Sequence, residues 1–169
     1  TLLVDGCYRN HGYCRGTYEG RVCGYFSSDQ GVLRVMPPDS PGGEWRVEKI
    51  LEGQVGEIAF ADIDGDGLEE MMTIEPFHGN SMKIYKLKEG RYECDFVYPT
   101  EVDFAHTLVG AQLNGKPCFV GGVRRVNAEL FIIRFQNGNY MVTSVEDGVG
   151  PANVAVIHKE GIDYILSAN

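Results

Sequence analysis

Three stretches of this chain align with one another at a spacing of about 46 residues. Self-similarity at such a period constrains the fold more than any single motif does. The stretches start at His11, Gly56 and Ala105, and a fourth starts at Pro151 and stops halfway. Each reads as strand, tight turn, strand, polar loop, strand, tight turn, strand. The apolar runs are short and rich in Val, Ile, Tyr and Phe (RVCGYFS, EEMMTI, LFIIRF and DYILSA among them), with Gly, Asn, Asp or Pro between them. No segment sustains a helical period, so the fold class is all-β. YEGR, LNGK and KEGI join first to second strands, and KEGRY and QNGNY join third to fourth. All carry the x-Gly pair that two-residue hairpins favour.

Units of about 40–50 residues, each of four antiparallel strands, predict the blades of a β-propeller. A two-sheet sandwich gives no reason for such a repeat. The expected divisions are 1–10, the last strand of a preceding blade; 11–54, 55–102 and 103–149, whole blades; and 150–169, half of a further blade. About three and a half blades fall short of closure, and an open set leaves strand edges unpaired. The expectation is therefore the C-terminal part of a larger, roughly seven-bladed propeller, or closure with a second copy.

Charge narrows the partners. The formal net charge is −9, with 15 Lys and Arg against 24 Asp and Glu, so nucleic acid, which needs a basic face, is not expected. No apolar run approaches the roughly 20 residues of a membrane helix, and no membrane partner is expected. The N-terminal TLLVDGCYRN does not read as a signal peptide. Five cysteines (Cys7, Cys14, Cys23, Cys94 and Cys118) form an odd set without a CxxC pair. They read as packed free thiols, which points to a reducing, cytoplasmic setting.

The motif with the sharpest chemistry is ADIDGDGLEE, residues 61–70. Asp62, Asp64 and Asp66 occupy positions 1, 3 and 5, the Leu68 carbonyl position 7 and Glu70 position 9. An EF-hand needs a bidentate Glu at position 12 between helices, but that position is Thr73 and the flanks are strand-like. A nine-residue loop with four carboxylates and one carbonyl suits a hard cation, Ca2+ first and Mg2+ second. Crowded negative charge requires such relief, and the other turns need none.

The run GEIAFADIDGDGLEEMMTIEPFHGNSMKIYK resembles the FG-GAP / VCBS class of propeller repeat. The EPFHGN and ILSAN elements, with RNHG upstream, are similar to a group of bacterial FG-GAP-like propeller proteins. In that class a DxDxDGxxD-type loop between the first two strands of a blade binds calcium structurally. The resemblance therefore implies Asp62, Asp64, Asp66, Leu68 and Glu70 as ligands. Glu70 replaces the usual final Asp, and the FG-GAP dipeptide itself is not intact.

In antiparallel units the start of the first strand and the end of the second share one end of the sheet. This gathers His11 and Ser28; Glu57, Glu75, Phe77 and His78; His106, Arg124 and Arg125; and Asn153 and Asn169 at the expected channel mouth. Three of the four histidines fall there, and His158 falls elsewhere. Histidines in such a ring suit metal binding or proton transfer near neutral pH. Arg124 or Arg125 suits a carboxylate or sugar acid. Glu57, Glu75, Phe77, Asn153 and Asn169 complete the expected ligand-binding set. No G-x-S-x-G motif is present. The leading functional expectation is a calcium-stabilised module binding a carbohydrate or protein at the mouth. The alternative is a metal-dependent lyase, dehydratase or hydrolase acting on a sugar-type substrate through the His/Arg ring.

Overall fold

The computed structural model describes residues 2–169. It is all-β, with no helix among the described residues, and hence none long and apolar enough to cross a membrane. Strands β1 (Tyr13–Tyr18), β2 (Arg21–Ser28), β3 (Gly31–Met36) and β4 (Arg46–Leu51) form a first antiparallel sheet in chain order. Strands β5 (Glu57–Ala61), β6 (Glu70–Glu75), β7 (Ser81–Lys88) and β8 (Arg91–Val97) form a second. A third contains β9 (Asp103–Leu113), β10 (Lys116–Arg125), β11 (Glu129–Gln136) and β12 (Asn139–Asp147), and the hairpin β13 (Asn153–Lys159) and β14 (Ile162–Ala168) follows. None of these sheets closes on itself.

Local chemistry sets the hairpins. Glu19–Gly20, Glu89–Gly90, Asn114–Gly115, Asn137–Gly138 and Glu160–Gly161 all have positive φ at both residues. Two adjacent positive φ values define the turn whose twist matches that of the flanking strands. Residues 2–12, where a strand was expected for 1–10, carry none. This segment instead follows the far end of β2: the Asp29 N–H donates to the Tyr8 carbonyl at 2.9 Å, and the Tyr8 N–H donates to Gln30 Oε1 at 2.8 Å. With its backbone engaged by a turn rather than by a strand edge, no ladder forms. Residue 1 lies outside the described residues.

The core sits between successive sheets, and period-two alternation divides the side chains among three layers. On β5, Ile58 and Phe60 point toward the first sheet, where with Met71 of neighbouring β6 they meet Tyr25 and Val32. Ala59 and Ala61 point the other way, into a layer with Met72, Ile84, Phe119 and Phe131. Cys118, Val120 and Leu130 then pack on Val154 of the hairpin. First strands lie against first strands, β1 on β5, β5 on β9 and β9 on β13. Gly110 of β9 faces the Phe60 carbonyl of β5 so closely that no room is left for a Cβ. Gly110→Ala must therefore push the two strands apart. A loss of about 1–3 kcal/mol in urea unfolding is expected, and an unchanged midpoint would refute this packing.

Candidate functional site

Two polar clusters sit at opposite ends of β5. At its C-terminal end, the connection to β6 folds on its own side chains. Asp62 Oδ1 and Oδ2 accept the N–H groups of Gly65 and Gly67 at 2.9 and 3.1 Å, and Asp64 Oδ1 accepts that of Asp66 at 3.1 Å. Asp62, Asp64 and Glu70 each place a carboxylate oxygen within 4.8 Å of the others. Asp66 stands outside that trio; its Oδ1 accepts the Leu68 N–H at 2.8 Å, and both residues are exposed. Glu70 is buried, and its Oε2 accepts the Ile63 N–H at 2.9 Å.

A fixed cation that sequence reasoning missed is already present here. Lys86 on β7 extends along the Phe135 ring and donates to Asp64 Oδ2 at 2.6 Å, with Asp95 Oδ2 at 3.8 Å. On β7 it shares the inward face of Met82 and Ile84, and nothing in the adjoining sequence ties it to the loop. Part of the carboxylate repulsion is therefore relieved internally. Glu70 still feels burial above all, then Asp64 and Asp66, and its pKa rises from 4.5 to about 7.

At the other end of β5, three histidines meet. His11 belongs to the segment before β1, His78 to the β6–β7 turn and His106 to β9. One ring nitrogen from each lies within 4.8 Å of the others, and the His11 and His78 Nε2 atoms are 3.4 Å apart. Buried Ser27 anchors the first segment: its hydroxyl accepts the Gly12 N–H at 2.8 Å and donates to the Gly56 carbonyl at 2.9 Å. The Ala105 N–H donates to the Gly79 carbonyl at 3.0 Å, tying β9 to the turn that carries His78. His106 is aimed by a bulge: the ladder pairs Gly122 with Thr107 and Val123 with Ala105, skipping His106. His78 and Phe104 hold positive φ, 46° and 58°, which costs each about 1–3 kcal/mol.

Aromatic rings enclose the trio. Phe77 stacks on His78 at 3.9 Å between centroids, and Phe104 lies 4.7 Å from His78 and 5.7 Å from His106. Three guanidiniums ring this cage: Arg9 over Phe77 at 5.7 Å, and Arg124 and Arg125 over Phe104 at 5.7 and 4.6 Å. Arg9 and Phe104 were not among the sequence candidates, because neither lies at a strand end that the repeat aligns. Glu57 joins through His11, whose Nδ1 is 3.4 Å from Glu57 Oε2. Burial raises the Glu57 pKa, with His11 and the Ile58 N–H opposing. Burial lowers both the His78 and His106 pKa values, and nearby imidazoles and Arg124 add to this, while for His106 a hydrogen bond with the Ala152 backbone opposes it.

The remaining candidates are engaged elsewhere. Glu75 accepts from Thr73 Oγ1, Tyr85 OH and Lys83 Nζ at 2.7, 2.7 and 2.5 Å. Asn153 Oδ1 accepts its neighbour's N–H from Val154, and Asn169 Oδ1 accepts from Ser167. Ser28 caps the Gly31 carbonyl. His158 pairs with Asp163 near the Glu160–Gly161 turn, away from the trio. All five cysteines are free, with Cys23 and Cys118 buried.

No protein-family model matches the sequence, and no curated protein matches it either.

The pH response of the acidic cluster follows from Glu70. A carboxyl whose folded pKa exceeds its unfolded value favours folding below the unfolded value, and that contribution is lost as pH rises through the folded one. In protein kept free of divalent cations the Glu70 contribution should therefore decline between about pH 4.5 and 7. Denaturation at a series of pH values should show that decline in the parent chain and a flatter profile in Glu70→Gln. Equal slopes would remove Glu70 as its source.

Proposed function

We propose that this chain is part of a calcium-stabilised β-propeller of the FG-GAP / VCBS kind, whose channel mouth binds an acidic group of a carbohydrate or protein. The observation that carries this reading is the cationic, aromatic mouth. His11, His78 and His106 come from successive structural units and lie among Arg9, Arg124 and Arg125, on a chain whose net charge is −9. A local positive field on an acidic protein steers anions to that spot. Planar guanidiniums bind carboxylates through two parallel hydrogen bonds, while the half-buried rings of Phe77 and Phe104 give the site an apolar wall.

The propeller assignment is supported by the consecutive four-stranded sheets, the apposed first strands and the core layers between sheets. It is supported too by the two outer faces of the stack. Tyr13, Val22, Phe26 and Trp45 are exposed on the first sheet, and Ile157, Ile162, Tyr164 and Leu166 on the last hairpin. Apolar faces like these call for cover, from further blades of a longer chain or from a second copy. Calcium at the aspartate loop is supported by the Asp62, Asp64 and Glu70 oxygens, with Asp66 and the Leu68 carbonyl close in sequence. In that reading calcium competes with the Lys86 ammonium for Asp64. The His trio is the one observation favouring the second reading, a metal-dependent lyase, dehydratase or hydrolase on a sugar-type substrate.

Two measurements test the proposal. Calorimetric titration should give one Ca2+ per chain. At 100 times Kd calcium should add about 2.7 kcal/mol of stability, Asp64→Asn should abolish binding, and Lys86→Met should tighten it by removing the competing cation. A chain that takes up no Ca2+ has no calcium clip. At the mouth, an oligogalacturonate should bind while its neutral methyl ester does not. Arg124→Ala with Arg125→Ala should weaken binding by about tenfold or more. Equal binding of acid and ester would end the acidic-ligand reading.

A further inference from the structure

The geometry of the His trio goes beyond a cationic ligand site. The 3.4 Å between the His11 and His78 Nε2 atoms is long for a hydrogen bond between imidazoles. It equals the separation of about 3.3–3.4 Å between two nitrogens held tetrahedrally at about 2.0–2.1 Å from zinc. The other face of His11 is also arranged for this. Its Nδ1 meets Glu57 Oε2 at 3.4 Å, and Glu57 Oε1 accepts the Ile58 N–H at 3.0 Å. A carboxylate beside Nδ1 favours the tautomer that leaves Nε2 free to ligate, and it raises ligand basicity. His106 adds to this, for its Nδ1 is buried without a hydrogen bond of good geometry, the Ala152 backbone being the one hydrogen-bonding group that acts on the ring. Buried polar atoms are nearly always satisfied, and a ring nitrogen without a well-formed hydrogen bond is one that a metal can satisfy.

Backbone features point the same way. The bulge at His106 and the left-handed conformations of His78 and Phe104 converge on this one spot. Such features cluster where a side chain must be aimed rather than packed.

We propose that His11, His78 and His106 form a zinc-type transition-metal centre with one open coordination position, and that a ligand carboxylate steered by Arg124 and Arg125 fills it. Three imidazoles are borderline donors that select zinc-like ions over Ca2+ and Mg2+, so this centre is chemically separate from the aspartate loop. Three protein ligands plus an open site is the arrangement that binds exchangeable water or an anion. The metal centre stands without the acidic-ligand reading; only the identity of the fourth ligand rests on it.

The test uses the 169-residue chain stripped of metal, with Ca2+ restored in excess, and Co2+ as a spectroscopic probe. One equivalent of Co2+ should give the intense visible bands of a four-coordinate ion, and Zn2+ should displace it. His78→Gln and His106→Gln should each weaken binding by at least about 100-fold, and Glu57→Gln by about 10–100-fold. Asp64→Asn should leave the Co2+ spectrum intact, which separates this centre from the calcium loop. Adding galacturonate should shift the bands, and Arg124→Ala with Arg125→Ala should raise the concentration required about tenfold at unchanged Co2+ stoichiometry. No binding by the parent chain, or a weak six-coordinate spectrum, overturns the centre whether or not the variants fold. Binding unchanged in both His variants overturns it equally. Bands indifferent to galacturonate overturn the open carboxylate position and leave the metal in place.

Discussion

Interdigitation of consecutive sheets through their first strands is the contact on which the rest depends. Each middle sheet is buried on both faces, so its strands divide their side chains between two core layers by simple alternation. Ile58 and Phe60 serve one layer, Ala59 and Ala61 the other. The small residues matter as much as the large ones. Alanines on one side of β5, with Gly110 across from the Phe60 carbonyl, let β9 approach closely while bulky Phe119 and Phe131 fill the space farther out. A stack built this way brings the ends of first strands together at one end of the molecule. Polar side chains placed there have little choice but to meet.

That convergence explains how an acidic chain holds a cationic, imidazole-rich cluster. Successive units supply one histidine each, and the hydrogen bonds of Ser27, and of the Ala105 N–H to the Gly79 carbonyl, hold their carriers in place. Strain in His78 and Phe104 is tolerated because the sheets around them are already fixed. The aromatic rings of Phe77 and Phe104 exclude water from the imidazole faces, which pushes both His78 and His106 toward their neutral form.

Much of this was legible in the sequence, and what was not has a physical cause. The all-β class followed from short β-rich runs, and the x-Gly pairs sit at hairpins with two positive φ values. Asp62, Asp64 and Glu70 stood out by spacing, and His11, His78 and His106 by their place in the repeat. Long-range contacts left no local trace. Lys86 reaches Asp64 across 22 residues, Arg9 covers Phe77 from a segment without a strand, and Phe104 enters the mouth only because its backbone turns left-handed. The bulge at His106 is a matter of register between two strands, which no reading of either strand alone contains. The strand expected within residues 1–10 followed from their place ahead of the first repeat unit; whether such a segment pairs depends on an available edge.

The two polar clusters share β5 and β6, and their separation decides how they can influence one another. Glu57 begins β5 at the mouth and Asp62 follows its end, so the five-residue strand between them spans about 16 Å at a rise of about 3.3 Å per residue. That exceeds the Debye length of about 8 Å at physiological ionic strength, so charge at one end is largely screened from the other. What remains is mechanical. A cation joining Asp62 and Glu70 would lock the register of β5 against β6. The opposite ends of those strands carry Glu57, which positions His11, and the turn that presents His78. A hard-cation loop would thus reach the imidazole cluster only through the rigidity of one hairpin, while the two sets of candidate ligands, Asp62, Asp64 and Glu70 against His11, His78 and His106, share no residue.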